Sequence, residues 1–319
     1  MYALPYKTKQ IFFVLIKLSL VIAVFCFIHF KLSDTKELPL ADFLELTFKH
    51  GVFSLTNVIS LLLLTIFNWF FEILKWQALV KPIKQIRFFE TIEQCLGSLT
   101  VSLFTPNRIG EYGAKALFYS KTQIPKIVSI NGLHNILQLS VTLIFGTIGL
   151  LCFTSIYPTN LNITKPSLGF LILIGLGIPG YLIVFIKKQN WLNELLDFIK
   201  NYPKITIACG FGFSAIRYLI FSFQFYYLLL IFGVSIDYLD AMMVISSLYL
   251  LASAVPFMAI FDFVIKGSIA VYLFSFLQIE AITIICITTL MWLLNFALPS
   301  LVGSYFVLNF KTPKSPVSA

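Results

Sequence analysis

Apolar residues recur along this chain in runs about as long as a bilayer core is thick, and short charged segments separate them. The first run covers residues 11–30, preceded by Lys7 and Lys9 and interrupted only by Lys17, which lies near enough to its start to snorkel. Further long runs at about 53–74, 127–153, 167–186, 205–232 and 281–308 bring the predicted number of full spans to six. Two proline-broken stretches do not fit a single span. The arms 92–105 and 109–120 flank Pro106, and 240–256 ends at Pro256 before a second arm through Asp262 and Lys266. Each arm is too short to cross alone, so the pattern predicts two re-entrant or broken-helix hairpins. Residues 42–48 and 190–200 alternate apolar and charged positions as interfacial helices do. Gly169, Gly175, Gly177 and the Pro179–Gly180 pair predict a kink in the 167–186 span.

Composition agrees with this pattern. The 319 residues are 59% hydrophobic and 12% charged, with a mean hydropathy of +0.91, well beyond soluble globular proteins. The expected fold is an all-α polytopic membrane protein of about six full transmembrane helices plus two hairpins. Residues 1–311 form one integral-membrane domain, followed by a disordered tail at 312–319 whose Pro, Ser and Thr do not support packing. The N-terminal run lacks a small-x-small cleavage site and reads as a retained anchor. The formal charge of +9 sits in short clusters beside the apolar runs, which fits anionic headgroups rather than nucleic acid. Five separated cysteines and three scattered histidines indicate neither a disulfide framework nor a metal site, and no cofactor motif or Walker A loop is present.

The chain's chemistry concentrates in Thr105–Lys115, where three charges interrupt an apolar context. Read as a helix beginning after Pro106, this stretch puts Arg108, Glu111 and Lys115 at i, i+3 and i+7 on one face. Charge at membrane depth costs about 2.5 to 3.5 kcal/mol per residue on insertion scales, so such a face turns toward protein or a wet cavity. The alternative is a solvated cytoplasmic loop. Asn131, His134 and Gln138 form a polar stripe that suits either the same cavity or interhelical hydrogen bonds. Arg217 lies deep inside its run with Gln224 seven residues later, and is expected to face a cavity or a counter-ion. Glu111 with Lys115 and Asp262 with Lys266 share an acid-x-x-x-cation spacing after a proline, which suggests an inverted repeat. The expected substrate-binding set is therefore Arg108, Glu111, Lys115, Arg217, Gln224, Asp262 and Lys266.

Lysines and arginines fix the expected orientation. With the N-terminus in the cytoplasm, 14 fall on the cytoplasmic side, Lys75, Lys81, Lys84 and Arg87 among them, whereas Lys31, Lys36, Lys49 and Lys165 are external. Both termini are then cytoplasmic, and the two hairpins enter from opposite sides. Opposed hairpins meeting near the midplane would bring helix N-termini, with their partial positive charge, to one site.

Pro106, Arg108, Gly110 and Glu111 carry a resemblance to the family that shares the transmembrane flippase domain of lysylphosphatidylglycerol synthases, whose motif is Pro-x-Arg-x-Gly-Glu. Arg217 with Gln224 resembles a later Arg-containing helix of that family. Pro256, Asp262 and Lys266 stand where many members have a Pro/Gly-rich stretch and Arg-Glu, although this chain has no glycine between Pro256 and Asp262. The resemblance implies a stand-alone member without the aminoacyl-transfer domain, located in the inner cell membrane and moving an anionic or polyprenyl-linked lipid between leaflets. Membrane lipids are the implied partners, with a homo-oligomer or a glycosyltransferase compatible as well. A membrane enzyme, or an enzyme partner in lipid-linked glycan synthesis, is the alternative, and the residues favour the non-enzymatic reading.

Overall fold

The computed structural model describes residues 40–103, 105, 108–157, 197–254 and 262–310, with backbone only at 40–42, 262 and 263. The described residues are helical, with turns and no strand. In chain order they form α1 (Leu40–Lys49), α2 (Leu55–Val80), α3 (Phe88–Ser102), α4 (Ile109–Ala116) and α5 (Ile124–Ile156), then α6 (Lys204–Ile231), α7 (Tyr238–Ala254), α8 (Asp262–Ser275) and α9 (Ala281–Trp292). A π-helical turn at Leu293–Ala297 joins α9 to α10 (Leu298–Asn309). Four helical lengths are long and apolar enough to cross a membrane: α2, α5, α6 and the continuous α9–α10. The protein is an integral membrane protein built on these helices. The expected spans at 11–30 and 167–186, the kink at Pro179, and residues 190–196 lie outside the described residues, as do Pro106, Pro256 and the 312–319 tail.

Local sequence accounts for several element boundaries. The Ser54 hydroxyl accepts a hydrogen bond from the Asn57 amide and caps the N-terminus of α2. That helix was expected to stop near residue 74, before a run of solvated cations, yet it continues to Val80. The reason is that Lys75 is fully buried against Glu72 one turn earlier, so the first cation of the cluster is an interior residue and not the cytoplasmic exit. The interfacial segment near 42–48 is helical in α1, with Phe43 and Thr47 buried on one face and Leu44 and Phe48 exposed. Before α6, the buried Tyr202 hydroxyl donates to the carbonyl of Leu79, and burial pushes its phenol up to about 12, so it remains a donor across the physiological range.

Two of the apolar clusters among the described residues are large. Ile73, Trp76 and Leu79 of α2 pack with Ile127, Ile130 and Leu133 of α5 in one cluster. Phe225 and Leu228 of α6, Val244 and Leu248 of α7, Leu273 of α8 and Ile287 of α9 belong to the other. Small residues permit the tightest crossings. A Cβ on Gly149 would lie 2.7 Å from the Ser246 Cβ and 2.8 Å from the Met243 carbonyl, so the backbones of α5 and α7 approach closely there. A Cβ on Gly303 would overlap the Leu96 carbonyl, and Thr100 Oγ1 donates to the Ser300 carbonyl at 2.9 Å across the same α3–α10 contact.

Candidate functional site

Polar residues gather where the four long helices are at mid-length. Asn68, Gln138, Arg217 and Asn295 each lie within about two residues of the midpoint of their helix, and all four line one cavity of about 270 Å³. Arg108 and Lys266 also reach its wall, from the start of α4 and from α8. Aromatic rings complete it, including Trp69, Tyr218, Phe221, Tyr249 and Phe296. Lys266 Nζ stands 5.5 Å from the Phe296 ring centre, and the Arg217 guanidinium carbon lies 6.0 Å from the Trp69 ring.

Behind the two arginines stand two similarly built ionic groups. In the first, Glu72 Oε2 is 2.9 Å from Lys75 Nζ, 2.9 Å from Arg217 Nη1 and 3.3 Å from His134 Nε2. In the second, Glu111 meets Arg108 Nη2 at 2.9 Å through Oε2 and Lys115 Nζ at 2.6 Å through Oε1. Each group has the same order from cavity to interior: a partly exposed arginine, a buried glutamate and a fully buried lysine. Helical i,i+3 and i,i+4 spacing pairs Glu72 with Lys75 and Glu111 with Lys115, whereas Arg217 reaches Glu72 from α6. Arg108 stands outside the predicted helical register. It precedes α4 in a left-handed conformation, φ 56°, and still closes on Glu111. A non-glycine residue there costs about 1 to 2 kcal/mol, which its ion pair offsets.

Helix α5 ties the two groups together. Asn131 Oδ1 accepts from Lys115 Nζ at 2.9 Å, His134 faces Glu72, and Gln138 Oε1 accepts from Lys75 Nζ at 3.3 Å and Arg217 Nη1 at 3.2 Å. Asn131 and Gln138 of the stripe read from the sequence thus make interhelical hydrogen bonds, His134 lies against Glu72 of α2, and Gln138 also lines the cavity. Trp76 packs between the groups, with Lys115 Nζ 3.9 Å from its ring centre and the His134 ring edge-on at 5.9 Å. Buried ions normally need this degree of pairing, since each costs several kcal/mol to desolvate.

The seven sequence-expected site residues separate into distinct positions. Arg108, Arg217 and Lys266 line the cavity, whereas Glu111 and Lys115 are buried behind it. Gln224 is also fully buried and stands back from the wall, at one end of an amide chain whose other members, Asn295 and Asn68, line the cavity. Its Nε2 donates to Thr65 Oγ1 at 2.9 Å and the Leu61 carbonyl at 3.1 Å, and its Oε1 accepts from Asn295 Nδ2 at 2.9 Å. Asn295 in turn accepts from Asn68 Nδ2 at 2.8 Å, and its own carbonyl accepts from the Trp69 indole at 3.2 Å. The π-helical turn that holds Asn295 therefore sits directly on the cavity wall, a frequent place for such turns. Asp262 opens α8, and its side chain lies outside the described residues.

Sequence reasoning missed Glu72, Lys75, Asn68 and Asn295. An available signal was the acid within the 53–74 run followed by a cation three residues on, the same spacing as Arg108 and Glu111. No known protein family, curated protein or solved structure matches the chain.

Proposed function

We propose that this protein is a lipid translocase or lipid transporter that receives an anionic lipid headgroup in the mid-helix cavity. The observation that carries this reading is the junction of two unlike spaces. The cavity lined by Arg108, Arg217 and Lys266 shares Phe221, Tyr249, Lys266 and Phe296 with a narrow apolar crevice whose other walls include Leu248, Met291 and Trp292. An amphipathic ligand suits this junction, with its anion on the cations and its apolar part against Phe221, Tyr249 and Phe296, beside a crevice that itself has only about 20 Å³ of room. Charge at this depth also favours a ligand-handling role over a purely structural one.

The hairpin reading supports the same function. By the 1.5 Å rise per residue, α3 is about 22 Å long and α4 about 12 Å, both short of the roughly 30 Å bilayer core. We therefore read α3–α4 as a re-entrant element, with α7–α8 as its counterpart, meeting at the cavity through Arg108 and Lys266. Glu111 belongs to the first of these elements and Asp262 opens α8 of the second, and each hairpin would govern access from one leaflet. Six full spans, cytoplasmic termini and placement in the cell's inner membrane belong to this proposal. The Pro-x-Arg-x-Gly-Glu resemblance to the lysylphosphatidylglycerol flippase domain supports it, because Arg108 and Glu111 of that motif form an ion pair at the cavity edge.

Native mass spectrometry of the detergent-extracted protein tests this function. We expect a co-purifying anionic lipid that is lost in Arg217→Gln at unchanged protein abundance. Retention of the same lipid by Arg217→Gln, or a lipid-free protein that turns over a lipid-linked donor, would replace the transporter with a scaffold or an enzyme.

A further inference from the structure

The nitrogens around Glu72 Oε2 are not equivalent. Lys75 Nζ and Arg217 Nη1 stand 2.9 Å from it, within the range of charge-assisted bonds, whereas His134 Nε2 stands 3.3 Å away and makes no hydrogen bond. The other ring nitrogen of His134 is engaged. Asn135 Nδ2 donates to Tyr112 Oη at 3.0 Å, which leaves Asn135 Oδ1 to accept from His134 Nδ1 at 3.3 Å. This bonding pattern assigns the ring proton to Nδ1. Nε2 is then a buried lone pair facing a carboxylate, with room for one proton between them.

Of these three partners, Arg217 lines the cavity, with 17% of its side chain exposed, whereas Lys75 and His134 are buried behind it. We propose that the protein couples its anion to a proton: an anion bound in the cavity draws Arg217 away from Glu72, and one proton enters in its place and bonds His134 Nε2. The inference rests on the anion-binding reading of the cavity. Hydronium in the cavity supplies the proton and is left as water, and the resulting imidazolium donates to the oxygen that Arg217 vacated. One negative and one positive charge enter together, so the buried group and its ligand keep their total charge, the cheapest outcome where ions are costly to desolvate. The remaining charges near His134 keep their partners through this exchange. Lys75 of α2 holds Glu72 at 2.9 Å, and Lys115 of α4 holds Glu111 at 2.6 Å and Asn131 at 2.9 Å. Arg108 pairs with Glu111, and Cys95 of α3 lies beside Lys115 and Glu72. Proton occupancy therefore follows Arg217, and by reciprocity the proton favours the anion as much as the anion favours the proton. A pH difference across the membrane would then drive the anion with the proton.

The test is titration calorimetry of the purified full-length chain in an uncharged detergent with dioctanoyl phosphatidylglycerol, whose phosphodiester stays ionised throughout. Titrations in buffers of different ionisation heat, from about pH 6 to about pH 9, give the protons taken up per lipid bound. Uptake should approach one proton within this range. Because the liganded state holds the extra proton, affinity should fall as pH rises, by up to about tenfold per unit where uptake is complete. His134→Gln should lose the uptake per bound lipid and flatten the pH dependence. His50→Gln should retain both, since that ring packs on Phe232 at the end of α6.

Binding with no proton uptake at any pH, or with proton release, overturns the coupling and leaves the anion site standing. Undiminished uptake by His134→Gln overturns the assignment of the proton to His134. Absence of phosphatidylglycerol binding removes both the coupling and the anionic-lipid reading. The proton number of the wild-type chain decides the coupling even if His134→Gln fails to fold.

Discussion

Replacing Glu72 by Gln removes the one carboxylate that Lys75, Arg217 and His134 share, with little change of volume. Each of the two permanent cations lies 2.9 Å from Oε2. At an effective dielectric constant near 20 that distance corresponds to about 6 kcal/mol of attraction per cation, before the desolvation cost that cancels much of it. The net loss on breaking such a buried group is about 3 to 5 kcal/mol. It falls mainly on Lys75, whose side chain is fully buried and keeps only Gln138 Oε1 at 3.3 Å, whereas Arg217 can turn toward the cavity. In a helical domain larger than 250 residues, about 2 °C per kcal/mol gives a fall in Tm of roughly 6 to 10 °C. The assay is thermal unfolding in detergent, with the exposed Glu45→Gln as control. The paired variant Glu72→Gln with Lys75→Met should recover part of the loss, since the stranded ammonium is then gone. A Glu72→Gln shift no larger than that of Glu45→Gln would refute the argument that the buried group holds α2, α5 and α6 together.

Gln224→Leu should lower stability by about 1 to 3 kcal/mol, because Asn295 Nδ2 and Thr65 Oγ1 lose a buried partner, while lipid binding by the folded fraction stays near wild type. A loss of binding with unchanged thermal stability would instead place Gln224 in the site. For orientation, cysteines introduced near Lys36 and Lys165 should react with an impermeant reagent in intact cells, and those near Lys84 and Lys188 should not. The reverse pattern would invert the topology.

Much of the fold was legible because spans announce themselves by length and apolarity. The runs at 127–153 and 205–232 became α5 and α6 with ends displaced by three residues or fewer. The misplaced end was that of α2. A lysine at the edge of an apolar run reads as solvated when only its neighbours in sequence are considered, and the partner that buries Lys75 is completed by Gln138 and Arg217 from other helices. The same limit explains Asn295, a lone amide in an apolar run whose meaning depends on Asn68 and Gln224, 227 and 71 residues away. Arg108, Arg217 and Lys266 were readable because three cations inside apolar sequence have few inexpensive positions, and one cavity collects them. Helical spacing put Gln224 on the face of Arg217, and both reach α2, but it says nothing of Asn295, whose amide meets Gln224 from a run 71 residues away.

Reconstituted liposomes provide the most direct test of the central claim that the three cavity cations receive an anionic headgroup. A fluorescent anionic lipid placed in one leaflet should become accessible from the other in vesicles holding the wild-type protein. Arg217→Gln and Arg108→Ala should reduce the initial rate by about tenfold or more, each having lost a charge-assisted contact to the anion. A wild-type rate equal to that of protein-free vesicles, or full-rate transfer by both variants at equal reconstitution, would contradict it.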